Sequence, residues 1–429
     1  MLCRSRFLLC ALLAPLGGLA AVPPRTNVLF IMADDLRPDL ATYGAPAVTP
    51  NLDRLARRAV QFDRAYCQQA VCNPSRSSML TGLRPDTLRV WNNSTHFRDP
   101  NPGVTTLPQH FKQQGYDTRC VGKIFHNWHT QEKGDARSWS APEFLHYATH
   151  GEDDARVAGP LPANHASPSP RAYTSVPLWE CRDVPDEAYY DGRVAAEAVR
   201  VIAEIKDRPF FLAVGFWKPH APFNAPKKYW DLYDRASLPP LNPDRAVGAP
   251  EIAHHDSREI RGIPPHQVDF TPAQIAEMRH GYLANISYFD AQLGKVLDAL
   301  VELIDFFPTL SALCGLPAAP GLEGRNLAPV LANPAVIVKA AAFTQHPRPA
   351  YYDREPDKQP RAMGYSVRTP RARYTEWRDW KTGAILAREL YEEADQPAET
   401  RNRIDEPRLE SAQSEAEVLL RAQFPPQSH

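Results

Sequence analysis

Residues 27–33 (Asn-Val-Leu-Phe-Ile-Met-Ala) and 209–216 (Pro-Phe-Phe-Leu-Ala-Val-Gly-Phe) form two short apolar runs with no alternation of polar and apolar positions. A strand with one face in water alternates, whereas a strand covered on both faces does not. The two runs therefore predict buried strands of a parallel sheet flanked by helices, an α/β fold. Folds of this class place their chemistry at the carboxyl ends of such strands. Both runs deliver charge there. The first ends in Asp34-Asp35, and the second leads into Lys218-Pro219-His220. Adjacent carboxylates in a closed site repel and call for a cation, and hard oxygen ligands suit Ca²⁺ or Mg²⁺. The plainer alternative is that one aspartate caps the next turn. A cation, a rigid proline and an imidazole at a strand end fit an anion site. The alternative for His220 is a satisfied surface histidine.

Between these strands lies Cys72-Asn73-Pro74-Ser75-Arg76-Ser77-Ser78-Met79-Leu80-Thr81-Gly82. Proline is favoured just inside a helix start, where its missing N–H has no partner anyway. Cys72 is thus placed where free N–H groups and the positive end of a helix dipole point outward. Arg76 falls one turn on, on the same face. A thiol, an anion pocket and a guanidinium come together, against the bland reading of a buried structural cysteine. A second helix opens at residues 49–56, with Thr49 as its expected N-cap and Pro50 at its first position. After a strand end near Asp117, the segment Val121-Gly122-Lys123-Ile124-Phe125-His126 sets a point charge and a proton-transfer group three residues apart.

The chain has 429 residues, enough for one large domain and a smaller one. A formal net charge of −1 argues against a nucleic-acid partner. The N-terminus reads as a signal peptide over residues 1–20: Arg4 and Arg6 precede an apolar stretch, and Gly18-Leu19-Ala20 offers a cleavage site. The stretch is short for a stable membrane anchor, and Leu9 before Cys10 is too large for a good lipidation site. The expected location is exported: periplasmic, secreted or in the secretory/lysosomal pathway. Removal of the leader leaves Cys67, Cys72, Cys120, Cys181 and Cys314, an odd count that flags one thiol kept for other work.

The Cys72 run resembles the signature of the type I sulfatases, Cys-x-Pro-Ser-Arg followed by Leu-Thr-Gly. Gly122-Lys123-x-Phe125-His126, Lys218-Pro219-His220 and Thr49-Pro50-Asn51-Leu52-Asp53 match further segments of that family. Gln68-Gln69-Ala70-Val71-Cys72, Arg84-Pro85-Asp86-Thr87, residues 210–215 and residues 363–369 are similar to iduronate-2-sulfatases and their bacterial relatives. The resemblance runs from about residue 26 to 402. It implies an alkaline-phosphatase-like mixed sheet flanked by helices, with a small C-terminal α+β subdomain. It also implies a hairpin over 364–368 and 374–377 and a closing strand near Glu389-Leu390-Tyr391. In catalysis, Cys72 is implied to become formylglycine, which needs a formylglycine-generating machinery. Asp34, Asp35 and the modified Cys72 are implied to hold calcium, with magnesium as the alternative. Arg76, Lys123, His126 and His220 are implied to bind sulfate, steady the nucleophile and move protons, with Lys218 ranked behind them. The implied substrate is a sulfated carbohydrate of the glycosaminoglycan kind. Two other functions follow from the same residues: a catalytically impaired glycan-binding protein, and a phospho- or phosphonoester hydrolase.

One part of the pattern is missing. Residues 271–300 predict a long amphipathic helix with Thr271 as N-cap. In the family such a helix leads to a strand ending in Asp-His or Asp-Asn, then to another lysine. Here Leu300 runs directly into Val301-Glu302-Leu303-Ile304-Asp305, and the chain contains neither dipeptide. His254-His255-Asp256 has no buried strand before it. The expected organisation is a leader at 1–20, a catalytic domain at 21–300 that lacks its last part, and a C-terminal subdomain at 301–429.

Overall fold

The computed structural model describes residues 25–57, 59–126, 132, 134–144, 178–239, 245–255, 258–262, 267–297, 306–332, 336, 338–392 and 399–426. The expected signal peptide and the Leu300–Val301 junction lie outside the described residues.

Nine strands are described: β1 (Val28–Asp34), β2 (Asp117–Gly122), β3 (Trp179–Arg182), β4 (Phe210–Pro219), β5 (Phe223–Pro226), β6 (Ala342–Arg348), β7 (Ala362–Arg368), β8 (Ala372–Asp379) and β9 (Ile385–Glu392). The central sheet is parallel and runs β1-β4-β2, with Leu29 opposite Leu212 and Thr118 opposite Phe211. β4 is buried at every position, as its unbroken apolar sequence requires. β1 departs from the expectation of full burial. Val28, Phe30, Met32 and Asp34 are buried, but Leu29, Ile31 and Ala33 are only half-buried. They border a mainly apolar cavity of about 380 Å³ together with Leu293, Leu297 and Leu310. β1 is an edge strand of the described sheet, so one flank has less to pack against.

Helices cover both faces of the sheet, which is the α/β architecture predicted. On one face, Tyr190–Ile205 and Pro272–Val296 set Val194, Val201, Phe289 and Leu293 against Leu212 and Val214. On the other, Cys72–Thr81, Leu107–Gln113 and Phe306–Leu313 bring Met79, Leu80, Phe111 and Phe307 onto Phe30 and Phe211. The long helix starts at a capping box formed by Thr271 and Gln274 and ends at Val296. It stops short of residue 300 because Leu297 is extended (ψ 135°).

The Pro50–Ala56 helix is not capped by Thr49, whose hydroxyl donates to Asp53 at 3.0 Å. Asp290 of the long helix takes that role, accepting from Asn51 N at 3.1 Å and Leu52 N at 2.8 Å. A carboxylate at a helix N-terminus also meets the dipole.

β6 to β9 form an antiparallel sheet in sequence order, backed by the Glu410–Gln423 helix. The expected hairpin lies within β7 and β8, with Ser366 opposite Thr375, and the expected closing strand lies within β9. This sheet meets the rest of the chain just before Cys72, where Gln345 N donates to Gln68 O at 2.8 Å. Cys67, Cys72, Cys120, Cys181 and Cys314 are all free thiols.

Candidate active site

The carboxyl ends of β1, β2 and β4 converge on the start of the Cys72–Thr81 helix. A pair of glycines makes this convergence possible. Gly122 has φ +82°, and a Cβ on it would stand 2.0 Å from Gly215 O; a Cβ on Gly215 would stand 1.9 Å from Lys123 O. Without side chains at both positions, Lys123 N donates to Gly215 O at 2.8 Å and the lysine enters the site.

The helix start is held by its second residue. Asn73 N donates to Asn93 Oδ1 at 3.0 Å, and its amide donates to Asn92 O and Thr95 O, both at 2.8 Å. Pro74 has no N–H. The fan of helix-end donors is therefore smaller than expected, since Asn93 takes one and proline removes another.

Arg76 lies one turn into the helix and reaches across to the strand ends. Its Nη2 donates to Asp34 Oδ1 at 2.9 Å, while Nη1 donates to Lys123 O at 2.6 Å and Ile124 O at 3.0 Å. Lys123 Nζ donates to Asp34 Oδ2 and lies 4.3 Å from the centre of the Trp217 ring. Asp34, Arg76 and Lys123 are all buried. Burial pushes the Asp34 carboxyl up, but Lys123, Arg76 and His220 outweigh it and hold the group well below the usual range. Asp35 adopts a left-handed backbone (φ +58°), which aspartate tolerates. Its side chain is 47% exposed. Desolvation raises its pKa to about 6, opposed by His220 and reinforced by Asp34 and Glu259. With nearly half of the side chain in solvent, screening tempers that rise.

Cys72 is buried, and burial followed by the Asp34 charge raises its thiol pKa, against Lys123 and a hydrogen bond with His220. This is the reverse of the environment that activates a cysteine thiolate. Ligand atoms of Asp34, Cys72 and His220 lie within 4.8 Å of one another, as do those of Asp35, His220 and Glu259. The imidazole of His220 sets Nδ1 against Ala221 O and Nε2 against Glu259 Oε1 at 3.1 Å, with Asp35 Oδ2 at 3.6 Å.

Asp34, Asp35, Cys72, Arg76, Lys123 and His220 thus meet in one cluster. His126 is buried just beyond Lys123 and joins neither ligand group. Lys218 turns away. Its Nζ donates to Pro222 O at 2.8 Å and to Asn224 Oδ1, which makes it a support for the following turn. Two residues of the site escaped the sequence reading. Glu259 lies on the short Arg258–Arg261 helix and accepts from Tyr351 OH at 2.6 Å. Neither stands in a recognisable motif.

An α/β fold with a helix-start residue, two buried cations and an imidazole at its strand ends defines a hydrolase of the alkaline-phosphatase-like class. Within that class the chain belongs to the sulfatase family, whose profile matches residues 26–314. It is similar to iduronate 2-sulfatase of Mus musculus, 30% identical over 84% of this chain and 86% of that protein. The human iduronate 2-sulfatase matches equally, at 30% identity over the same shares. That makes the chain an enzyme of the sulfatase type, nearest the iduronate-2-sulfatase subfamily. The mouse alignment runs over 490 positions, more than the 429 residues of this chain, so the relative carries residues with no counterpart here. In fold it is similar to a phosphonate monoester hydrolase from Silicibacter pomeroyi, with TM-score 0.68, 19% identity, and coverage of 94% of this chain and 96% of that one.

Proposed function

We propose that the chain cleaves sulfate esters of sulfated sugars, with residue 72 as formylglycine. The observation that carries this is the buried, proton-retaining Cys72 beside Arg76, Lys123 and His220. A thiol so placed is a poor nucleophile in its own right, which fits a residue destined for conversion. Formylglycine at this position supplies a hydrated aldehyde whose oxygen attacks sulfur and whose second hydroxyl later expels sulfate.

The chain's own side chains do the rest. Lys123 and Arg76 put buried positive charge beside the helix start, where charge grows on the sulfate oxygens in the transition state. Arg76 also fixes the Lys123 backbone through two carbonyls, so both cations are held before substrate arrives. His220 stands against residue 72 and gives a proton to the departing sugar oxygen. His126, close in sequence to Lys123, is the second imidazole of the site in this reading.

Divalent cations are general in the family, and Asp34, Asp35 and residue 72 are the expected ligands here. Calcium takes roughly six to eight oxygens. Among the described residues, both Asp34 oxygens are engaged by Arg76 and Lys123, and Glu259 is engaged by His220 and Tyr351. What remains is a sparse set: Asp35, one imidazole and the oxygens that residue 72 would offer once converted. It does not fit calcium. Magnesium, which keeps several waters, asks for only one or two carboxylates, and Asp35 is the one that reaches solvent.

In this reading the chain is exported and meets formylglycine-generating machinery. Among the described residues, no helix is long and apolar enough to cross a membrane. The incomplete oxygen set favours one second reading, a protein that holds sulfated sugar without turning it over. Purified protein with its aldehyde content measured by mass spectrometry, assayed on an aryl sulfate and an aryl phosphate, separates these readings. Sulfate turnover scaling with aldehyde content supports the proposal. Preference for phosphate assigns the chain to phosphoester chemistry. No turnover by fully converted protein that still binds a sulfated disaccharide establishes the binding reading.

A further inference from the structure

We propose that Arg354 is a specificity-determining residue, whose guanidinium grips a carboxylate on the sugar that carries the scissile sulfate; this rests on the sulfated-sugar reading and adds a second anionic group to it. Arg354 ends the short helical turn Tyr352–Arg354, which follows β6. Its N–H donates to Tyr351 O at 3.0 Å, and its Cζ stands 4.6 Å from the centre of the Tyr351 ring. Among the described residues its side chain has no carboxylate partner.

Three ties hold this turn over the site. Tyr351 OH donates to Glu259 Oε2 at 2.6 Å, and Glu259 Oε1 faces His220 Nε2 at 3.1 Å. Tyr352 OH accepts from Asn92 Nδ2 at 3.0 Å, and Asn92 O accepts from the side-chain amide of Asn73, the residue after Cys72, at 2.8 Å. Asp353 accepts from Ser94 Oγ. Tyr351 and Tyr352 are buried, while Arg354 is exposed. The turn therefore joins the His220 wall of the site to the Cys72 wall and leaves one guanidinium at the rim. An aromatic face holds a cation without using its N–H groups. The fork of donors stays open, and its planar edge matches the two oxygens of a carboxylate. The rim also carries two acids that repel such a group, since the Asp35 side chain is 47% exposed and that of Glu259 28%. With the scissile sulfate seated at residue 72, the rest of the sugar lies at this rim. A carboxylate there needs a cation beside it, and Arg354 is placed to be that cation.

The test compares two sugars with the same sulfate at the same ring position, one a hexuronate glycoside and one the corresponding hexose glycoside. The parent protein should prefer the uronate. In Arg354→Ala the ratio of kcat/KM on the uronate to kcat/KM on the hexose should fall by about tenfold, as for a bidentate pair at a partly solvated rim. The fall should come through KM on the uronate rather than through kcat. Arg354→Lys keeps the charge but loses the fork, and should recover only part of the loss. An unchanged ratio in Arg354→Ala, or a parent protein with no preference for the uronate, overturns the contact. If parent protein carrying its aldehyde cleaves neither sugar, the sulfatase reading is what fails. The contact is then read by calorimetry, with both sugars titrated into the parent protein and into Arg354→Ala. Tighter uronate binding that the substitution abolishes supports it; equal affinities, or no binding, overturn it.

Discussion

Asp34 answers to two buried cations at once, so changing either cation exposes the carboxylate it leaves behind. Arg76→Lys replaces a planar fork of donors by a single point charge. Asp34, Lys123 O and Ile124 O cannot all be reached from there. The expected cost is about 3 kcal/mol in a denaturant melt, as for breaking a buried pair. Turnover should fall by roughly a hundredfold. A variant of wild-type stability and activity would show that the guanidinium is dispensable. Most of these residues were legible because each sits at the end of a buried strand or within one compact motif. Glu259 was not, since its partners His220 and Tyr351 lie 39 and 92 residues away and no local pattern links them. Lys218 shows the opposite failing. Its motif named a charge, but the turn after β4 consumes that charge internally.

At the scale of elements, burial on both faces made β4 readable from composition, and the same rule overreached for β1, which has an open flank. The Pro50–Ala56 helix teaches a related lesson. Thr49 has the right residue type for a cap, but the distant carboxylate of Asp290, 239 residues beyond Asn51, outcompetes it. Asp290→Ala should therefore cost about 1–2 kcal/mol, whereas Thr49→Ala should cost less. Urea melts of both variants check the ranking. In β6, burial first, then Arg348, Arg373 and His255, push the His346 pKa down to about 3. Unfolded histidine titrates near 6.5. Between those values the unfolded chain binds a proton that the folded chain refuses, so stability falls as pH drops from about 6.5 toward about 3. His346→Gln should flatten that part of the stability–pH curve; an unchanged curve would contradict the assignment.

For the molecule as a whole, the parallel sheet, its helical layers and three strands of the C-terminal sheet (β7, β8 and β9) were anticipated, while β6 was not. The family pattern is expected to lapse at Leu300–Val301; the 490-position alignment shows that the mouse relative carries residues this chain lacks, without placing them at that join. At the site the balance is electrostatic. Asp34 is neutralised by Arg76 and Lys123, and among the described residues the oxygens left over do not make a calcium shell. A chelator should then leave the melting temperature within about 1 °C of its value in millimolar calcium. A clear rise with calcium would show that further ligands complete the shell. The central claim is that this chain's strand-end cluster hydrolyses sulfate esters through residue 72. Its most direct test is the rate of aryl sulfate hydrolysis measured against the fraction of chains carrying an aldehyde at residue 72. Turnover proportional to that fraction, and absent in Cys72→Ala, is the predicted result. No sulfate release from fully converted protein would contradict it.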